Sequence, residues 1–329
     1  MLKPATDQIL TIETEHQFEE TALQIFNFQA QNCAVYNQFI TGLNIDVKAV
    51  KSIYTIPFLP VELFKSHNVL SSTNPVEVTF TSSGTTGVIT SSHYITDVTV
   101  YEKSFRKAFY FFYGDIKNYC VLALLPAYLE REGSSLIYMA QDFINQSTNP
   151  NSGFYLYNHD DLALQLQKQK ALGTPTLLMG VTFALLDFVE QYQINFPELI
   201  VIETGGMKGR RKEMIREELH EQLTKGFGVE TIHSEYGMTE LLSQAYSKGA
   251  GIFNCPAWMK IITRDANDPI STLTTGDRTG GINIIDLANI NSCSFIATQD
   301  LGRIYPDGSF EVLGRFDNAD IRGCNLLIA

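Results

Sequence analysis

Three continuous apolar runs constrain the fold of this chain more than any other feature of its sequence. They occupy residues 119–125 (YCVLALL), 176–179 (TLLM) and 199–203 (LIVIE). Short runs without alternating polar residues are typical of strands that are buried on both faces of a parallel sheet. The sequence also predicts helices at residues 101–113, 183–192 and 208–225. Buried strands that alternate with helices predict an α/β fold with mixed, mostly parallel sheets flanked by helices.

The two ends of the chain differ from this central pattern. Thr14 and Gln17 fit a capping box, and apolar residues then recur at helical spacing through residues 15–40. Towards the C-terminus, Gly276-Asp277 and Asp307-Gly308 are turn signals between short strands. We therefore expect a helical N-terminal segment and a smaller, β-rich C-terminal subdomain.

Length, composition and charge exclude several classes of protein. The 329 residues suit one large body or about two domains, and 44% hydrophobic against 18% charged residues excludes a disordered chain. The net charge of −12 argues against a non-specific nucleic-acid binder. No apolar stretch is long enough to span a membrane, and the N-terminus lacks the pattern of a secretory signal. Five scattered cysteines without metal-binding spacing predict a reduced, cytoplasmic protein.

A cluster of hydroxyl and glycine residues follows the alternating segment 76–80 (VEVTF), which is predicted to be a strand. The cluster consists of Thr81, Ser82, Ser83, Gly84, Thr85, Thr86 and Gly87. Glycines let the backbone approach an anion closely and hydroxyls add hydrogen-bond donors, so the cluster suits a polyphosphate. It is not a Walker loop, because the GxxxxGK[ST] pattern is absent. Two interpretations stay open, a phosphate-binding loop and a plain polar turn.

The segment 234–240 (SEYGMTE) brings an aromatic ring, a hydroxyl group and a carboxylate close together in sequence. Tyr236 suits stacking on a purine, Thr239 suits donation to a phosphate, and Glu240 suits a Mg²⁺ ion between phosphate oxygens. The alternative interpretation is a buried tyrosine and a surface glutamate at the end of a strand.

A third polar group lies near the C-terminus. Asp300 in QDLGR suits the two hydroxyls of a ribose, and Arg315 in GRFD offers a planar guanidinium group to ribose or phosphate. A hairpin that is closed by a salt bridge explains the same residues without a ligand.

Together and in this order, the motifs resemble those of the adenylate-forming, acyl-activating (AMP-binding) superfamily. The segments 56–65 (IPFLPVELFK) and 79–87 (TFTSSGTTG) are similar to LuxE-type acyl-protein synthetases, which are related to phenylacetate–CoA ligases. The resemblance extends from about Phe18 to the C-terminus. It implies an AMP-binding acyl-activating domain at residues 1–316. Residues 317–329 would then be a hinge, at Asp317, and the start of a C-terminal domain that is missing or vestigial.

The resemblance implies a role for each matching residue. The residues that would contact the phosphates are Thr81 to Gly87, with Ser82, Ser83, Thr85 and Thr86 nearest. The residues that would contact the rest of the nucleotide and its metal ion are Gly205 and Gly206 (adenine), Tyr236 (purine face), Thr239 (α-phosphate), Glu240 (Mg²⁺), Asp300 (ribose) and Arg315 (behind the ribose contact). The implied cofactors are ATP and Mg²⁺. The implied reaction activates a fatty or aryl acid as an acyl-adenylate and transfers it to a thiol of CoA, a carrier protein or a protein cysteine.

The chain departs from the family's pattern at its lysines. No lysine completes the hydroxyl and glycine cluster, and Lys168, Lys170 and Lys208 do not match the catalytic lysine of the family's C-terminal domain. Three explanations stay open: a weak adenylation step, a partner that completes the site, or a sequence that is part of a longer chain.

Cys324 is the candidate acyl carrier, because LuxE-type proteins hold the acyl group on a cysteine near the C-terminus. Arg322 lies beside it and would favour the thiolate. The alternative is a small buried core residue, which is the interpretation for the remaining cysteines, Cys33, Cys120, Cys255 and Cys293. The acid is expected to lie against residues from 120–140 and 176–186. Tyr128, Glu130 and Arg131 in the first range occur where relatives place residues that contact the acid, but they are assigned no individual role. His233 is interpreted as structural.

Two other functions compete with acid activation. One is an acyltransferase that uses no ATP and passes acyl groups through Cys324. The other is a non-catalytic partner that binds nucleotide or acyl groups in a biosynthetic complex. A serine hydrolase is disfavoured, because no GxSxG motif occurs. The expected partners are a carboxylic acid and a thiol acceptor, and the sequence is compatible with a homo- or hetero-oligomer.

Overall fold

The computed structural model describes residues 3–82, 90–126, 133–205, 214–265, 268, 272–273 and 279–315. The chain forms two compact units, each assembled from separated stretches. The first comprises Met1–Ser104, Glu240–Ser243 and Asn254–Ala329, and the second comprises Phe105–Thr239 and Gln244–Phe253. The predicted boundary between residues 316 and 317 lies outside the described residues and stays a prediction.

Helices and strands alternate along much of the chain. The α-helices of the described residues are α1 (Thr6–Leu10), α2 (Glu15–Asn32), α3 (Ala34–Gly42), α4 (Leu63–Ser66), α5 (Val98–Tyr113), α6 (Ser135–Ser147), α7 (His159–Leu172), α8 (Thr182–Gln191) and α9 (Arg216–Phe227). The strands are β1 (Leu59–Pro60), β2 (Val78–Thr81), β3 (Ser92–Ile95), β4 (Cys120–Leu124), β5 (Gly153–Tyr155), β6 (Thr176–Gly180), β7 (Ile200–Glu203), β8 (His233–Tyr236), β9 (Ala245–Ser247), β10 (Ile252–Asn254), β11 (Met259–Arg264), β12 (Gly280–Asp286), β13 (Phe295–Ile304) and β14 (Phe310–Arg315). Short 3-10 helices lie at Val47–Ala49, Ile53–Thr55, Ile116–Asn118 and Leu287–Asn289. Among the helices that the structure describes, none has the length and hydrophobicity that crossing a membrane requires.

The second unit is built on the mostly parallel sheet that the apolar runs predict. Its strand order is β10-β9-β8-β7-β6-β4-β5, in which β5, β4, β6, β7 and β8 are parallel and β9 is antiparallel to β8. Every residue of β4 and β6 is buried, as expected for strands that are covered on both faces. Phe188 of α8 stacks on Phe227 of α9 with ring centroids 5.6 Å apart, so apolar side chains join the two helices.

The first unit contains an antiparallel sheet in the order β11-β12-β13-β14, with β1 parallel to β13. The N-terminal helices pack against β13 and the turn before it. Gln29 of α2 is fully buried; its amide donates to Asn289 O at 3.0 Å and accepts from Ser294 N at 2.9 Å. The ring of Tyr36 stacks on Phe295 at 6.1 Å. The buried amide is therefore fully paired within an otherwise apolar interface, which fixes the position of α2.

Most of the predicted elements are confirmed, and one boundary is wrong. The capping box of Thr14 and Gln17 begins α2. The turn at Asp307-Gly308 joins β13 to β14, whereas Gly276-Asp277 lies outside the described residues. The helix predicted at 208–225 begins at Arg216, and residues 206–213 are not described. Ile215 is extended, and acidic residues occupy the first turn of α9, where they favour a helix start.

Candidate functional site

The hydroxyl and glycine cluster begins at the end of β2, in a β-hairpin of the first unit. β2 and β3 pair in antiparallel fashion, with Thr81 opposite Ser92. Beyond this pair, Ser82 N donates to Ser91 O at 3.1 Å, and Ser91 N donates to Ser82 Oγ at 2.9 Å. Residues 83–89 lie outside the described residues, so Ser83, Gly84, Thr85, Thr86 and Gly87 keep their roles as predictions. The Ser82–Ser91 pair thus holds the start of the cluster against β3.

Glu240 lies beside the Ser82–Ser91 pair. Its exposed fraction is 6%, whereas Tyr236 is only partly buried, so the interpretation as a buried tyrosine and a surface glutamate is wrong. Burial raises the pKa of the Glu240 carboxyl group. A hydrogen bond with Ser91 and then the charges of Arg315 and Lys65 oppose that rise. Glu240 therefore lies beside the residue that pairs with Ser82 of the cluster, and its role as a Mg²⁺ ligand stays a prediction.

Asp300 and Arg315 face each other across the hairpin of β13 and β14. Arg315 Nε lies 3.3 Å from Asp300 Oδ1, and Asp300 is 9% exposed while Arg315 is exposed. The salt bridge between strands that the sequence suggested is present. Their predicted contacts with a ribose stay a prediction, and the charge of Arg315 places the pair in the neighbourhood of Glu240.

Asp286 is a residue of this region that the sequence analysis missed. It is fully buried at the end of β12, where Oδ2 accepts from Leu242 N at 2.7 Å and from Ser243 N at 3.1 Å. The Asn289 side chain also donates to Glu240 O at 2.7 Å. These contacts hold the backbone of residues 240–243 in place. The available signal was an acidic residue directly after the apolar pair Ile284-Ile285.

Four other predicted ligand residues belong to the second unit, and the structure describes three of them. Gly205 has a φ of 74°, which is in the left-handed region that glycine tolerates, and its N–H donates to Glu203 Oε2 at 2.7 Å. The Tyr236 ring packs edge-on against Phe253 with centroids 5.9 Å apart, and Thr239 is partly buried. Gly206 lies outside the described residues. The binding roles of Gly205, Tyr236 and Thr239 stay predictions.

A pair of carboxyl groups in the second unit was also missed. Glu203 is buried and accepts from Thr182 Oγ1 at 3.2 Å. Burial favours a higher pKa for Glu203, but interactions with His220, Ser234 and the Gly205 N–H outweigh burial and lower it. Burial and the neighbouring charge of Glu203 raise the pKa of Glu235 to about 8. At neutral pH one carboxyl group is therefore ionised and the other protonated.

The Glu235 side chain is expected to make the protein less stable as the pH rises from 4.5 to about 8. The folded state holds the Glu235 proton more tightly than the unfolded state does. The contribution of Glu235 to the free energy of unfolding is therefore fully present below pH 4.5, and it is lost as the pH rises through the folded-state pKa of about 8. Glu235→Gln should reduce this loss of unfolding free energy between pH 4.5 and about 8 by on the order of 2 kcal/mol, allowing for partial solvent screening. The titratable groups that interact with the Glu235 carboxyl group are Glu203 and Tyr113.

Urea unfolding of the wild type and of Glu235→Gln at several pH values measures this effect. Glu230→Gln is the matched control, because Glu230 is exposed in the same unit. Parallel pH profiles for the wild type and Glu235→Gln would contradict the assignment of the proton.

The other residues that the sequence singled out have structural surroundings or are not described. Burial and then Lys248 lower the pKa of His233 to about 4, and Tyr113 Oη lies 3.2 Å from His233 Nδ1, which agrees with a neutral structural histidine. Cys33, Cys120 and Cys293 are buried as predicted, whereas Cys255 is only partly buried, although burial raises the pKa of its thiol. The residues outside the described part of the chain are Tyr128, Glu130, Arg131, Lys208, Asp317 and Cys324.

Comparison with known proteins gives no match to any protein-family model and none to a curated protein sequence. Solved structures do match. The chain is similar to 2-hydroxyisobutyryl-CoA ligase in complex with 2-HIB-AMP and CoA (TM-score 0.66, 11% identity), covering 97% of this chain and 73% of that one. It is also similar to ATP-bound MatB from Rhodopseudomonas palustris (TM-score 0.55, 14% identity), covering 74% of this chain and 49% of that one.

A third match is a long-chain-fatty-acid-CoA ligase (FadD1) from Archaeoglobus fulgidus, with a TM-score of 0.51 and 14% identity over 76% of this chain and 53% of that one. The chain thus spans about half the length of the MatB and FadD1 chains. At these identities the likeness establishes the fold, which is the mixed α/β fold of the adenylate-forming acyl-CoA ligases, as predicted. The LuxE-type subgroup stays a prediction.

Proposed function

We propose that this chain activates a carboxylic acid with ATP and Mg²⁺ and transfers the acyl group to a thiol. The observation that supports the proposal most is the burial of the Glu240 carboxyl group beside Ser91, which pairs with Ser82 of the hydroxyl and glycine cluster. The fold supports it as well. One protein with this fold was solved with 2-HIB-AMP and CoA, and another with ATP.

The surroundings of Glu240 fit a nucleotide that carries Mg²⁺. In the described part of the chain no three His, Cys, Asp or Glu side chains form a metal-binding group. Mg²⁺ does not need one, because it usually takes one or two carboxylates and completes its shell with phosphate oxygens and water. Glu240 is a single carboxylate of this kind, with the Ser91 hydroxyl and a cationic side chain close by. When bound, Mg²⁺ would supply positive charge to the phosphate oxygens.

The remaining residues take the roles that the resemblance implies. In the first unit, residues 81–87, which include Ser82, would donate to the phosphates. Asp300 and Arg315 would bind the ribose. In the second unit, Tyr236 would cover the purine face, Gly205 and Gly206 would lie along its edge, and Thr239 would donate to the α-phosphate. In this proposal the protein positions two anions, the carboxylate of the acid and the polyphosphate of ATP, and offsets the repulsion between them.

The proposed chemistry needs no covalent step on these residues. A carboxylate oxygen of the acid bonds to the α-phosphorus of ATP while the bond from that phosphorus to the bridging oxygen breaks, and pyrophosphate leaves. The sulfur of a thiolate then bonds to the acyl carbon, the bond from that carbon to the AMP oxygen breaks, and AMP leaves. The thiol loses its proton to solvent before the attack.

The first half of the proposal is tested by the exchange of labelled pyrophosphate into ATP. We expect exchange that depends on Mg²⁺ and on an added carboxylic acid, with fatty and aryl acids of several lengths as the panel. A protein that binds Mg-ATP but gives no exchange with any acid would overturn acid activation. It would then favour the non-catalytic nucleotide-binding function.

The proposed acceptor is a thiol of CoA, a carrier protein or Cys324. If Cys324 carries the acyl group, protein incubated with labelled acid and Mg-ATP should retain the label, and Cys324→Ser should lose nearly all of it. Cys255→Ser is the control, because burial raises the pKa of that thiol and makes it a poor nucleophile. Equal labelling of the wild type and Cys324→Ser would remove Cys324 from the reaction and leave a free thiol as the acceptor.

A further inference from the structure

The segment 56–65 (IPFLPVELFK) has no role in the nucleotide site proposed above. Its strand β1 runs parallel to β13, with Pro60 opposite Ala297. The pairing continues past the strand, because Val61 N donates to Ala297 O at 2.9 Å. The segment therefore follows β13 in the direction of Asp300.

A side-chain contact holds the end of this segment close to the Asp300–Arg315 pair. Gln299 Nε2 donates to Glu62 Oε1 at 2.5 Å. Gln299 is the residue before Asp300 on β13, and Glu62 lies directly before α4. The start of α4 is thus fixed beside the strand that carries Asp300.

A second contact holds α4 against the hairpin of β2 and β3. Phe64 is 1% exposed, and its ring packs edge-on against His93 of β3 with centroids 5.6 Å apart. His93 is two residues from Ser91, whose side chain bonds to Glu240. Lys65 is the next residue after Phe64. Because Phe64 is held near the Ser82–Ser91 pair, the backbone of Lys65 lies near that pair as well.

The Lys65 ammonium group makes no hydrogen bond or ion pair with any residue that the structure describes, and its side chain is exposed. The exposed Lys225, in contrast, bonds to Glu221 one turn away. The contact of Phe64 with His93 places Lys65 near Ser91 and its partner Glu240, and the electrostatic action of Lys65 on Glu240 agrees with this placement.

We propose that the Lys65 ammonium group binds the phosphate oxygens of the nucleotide beside Glu240. The inference rests on the proposed function and deepens it. Among the described residues, the carboxylates of Glu62, Glu240 and Asp300 outnumber the guanidinium groups of Arg264 and Arg315 that act on them. Without Lys65, the resulting negative charge would repel a polyphosphate. An ammonium group on a flexible stem binds phosphate well as a point charge. Segment 56–65 thereby supplies the cation that the hydroxyl and glycine cluster lacks.

Calorimetric titration of ATP and of adenosine, each with Mg²⁺ at fixed salt, tests the assignment. Lys65→Gln should weaken ATP binding by about 10- to 100-fold, which is the loss of one charge-assisted hydrogen bond. Adenosine carries no phosphate, so its affinity should stay within about twofold of that of the wild type. Lys65→Arg keeps the charge and should recover most of the ATP affinity. Lys48→Gln is the matched control, because Lys48 is exposed in the same unit.

The outcomes separate this inference from the proposed function. If the wild type and Lys65→Gln bind ATP equally, the role of Lys65 is wrong and the proposed function stands. An equal loss of ATP and adenosine affinity would make Lys65 a structural residue and would also overturn the inference. If Lys65→Gln leaves the ATP affinity unchanged but raises the KM for the acid, the Lys65 ammonium group binds the carboxylate of the acid and not the phosphates. If the wild type binds neither ATP nor adenosine, the proposed function fails together with the inference.

Discussion

Replacement of Glu240 by glutamine is expected to lower acid-dependent pyrophosphate exchange by about 100-fold or more. Glutamine has nearly the shape of glutamate and can still bond to Ser91, but it carries no negative charge. Mg²⁺ prefers charged carboxylate oxygens, so the variant should hold Mg-ATP poorly. The Glu240 carboxyl group is buried beside the Ser82–Ser91 pair, and the described residues contain no group of three His, Cys, Asp or Glu side chains that could bind a metal ion without the nucleotide.

The same variant should remain folded. Burial raises the pKa of Glu240, which means that the ionised carboxylate is costly in the folded state, and glutamine removes this cost. We therefore expect the free energy of unfolding in the absence of nucleotide to be unchanged or higher. Mg-ATP should raise the Tm of the wild type, because it binds the folded state, and should raise that of Glu240→Gln far less.

Glu311→Gln is the control for this experiment. Glu311 is a partly buried carboxylate in the same unit, 3.7 Å from Arg303, and it has no part in the proposed site. Exchange at the wild-type rate in Glu240→Gln would contradict the metal assignment. A similar loss in Glu311→Gln would show that the effect is not specific to the charge of Glu240.

Strand burial was the most predictable part of the fold. A strand that is covered on both faces needs apolar residues at every position, so β4 and β6 could be read directly as continuous runs. The start of α9 was less predictable, because a charged sequence such as residues 208–215 fits either a helix or a loop. The assembly of the first unit from three separated stretches could not be read at all, since periodicity reports only local structure.

The candidate site shows the same division. Asp300 and Arg315 could be paired in advance because one turn separates their strands. Glu240 was recognised from its motif, but its contact with Ser91 depends on the folding of distant segments. Lys65 and Asp286 were missed because neither belongs to a local pattern of polar residues. Each becomes informative only when the strand beside it is known.

Asp286→Ala is expected to lower the free energy of unfolding by about 3–5 kcal/mol, the largest stability effect that we anticipate for a single side chain. The carboxylate accepts from Leu242 N, Ser243 N and Ala288 N at 2.7–3.1 Å, and from Ser243 Oγ at 2.6 Å. Alanine would leave three backbone N–H groups buried without an acceptor. Such groups are costly because no water replaces the lost partner.

Asp286→Asn separates the loss of hydrogen bonds from the loss of volume. The amide oxygen can serve only one of the two sets of donors, since the amide nitrogen is itself a donor, so the loss should fall between those of the wild type and Asp286→Ala. Urea unfolding measures both variants.

Asp46→Ala is the control. Asp46 also accepts a backbone N–H, from Lys48 at 2.9 Å, but its side chain is exposed, so its loss should cost only about 1 kcal/mol of unfolding free energy. If Asp286→Ala costs no more than Asp46→Ala, the carboxylate does not hold residues 240–243 in place. If it costs several times more and raises the KM for Mg-ATP in protein that is still folded, the same hydrogen bonds that stabilise the first unit also position Glu240.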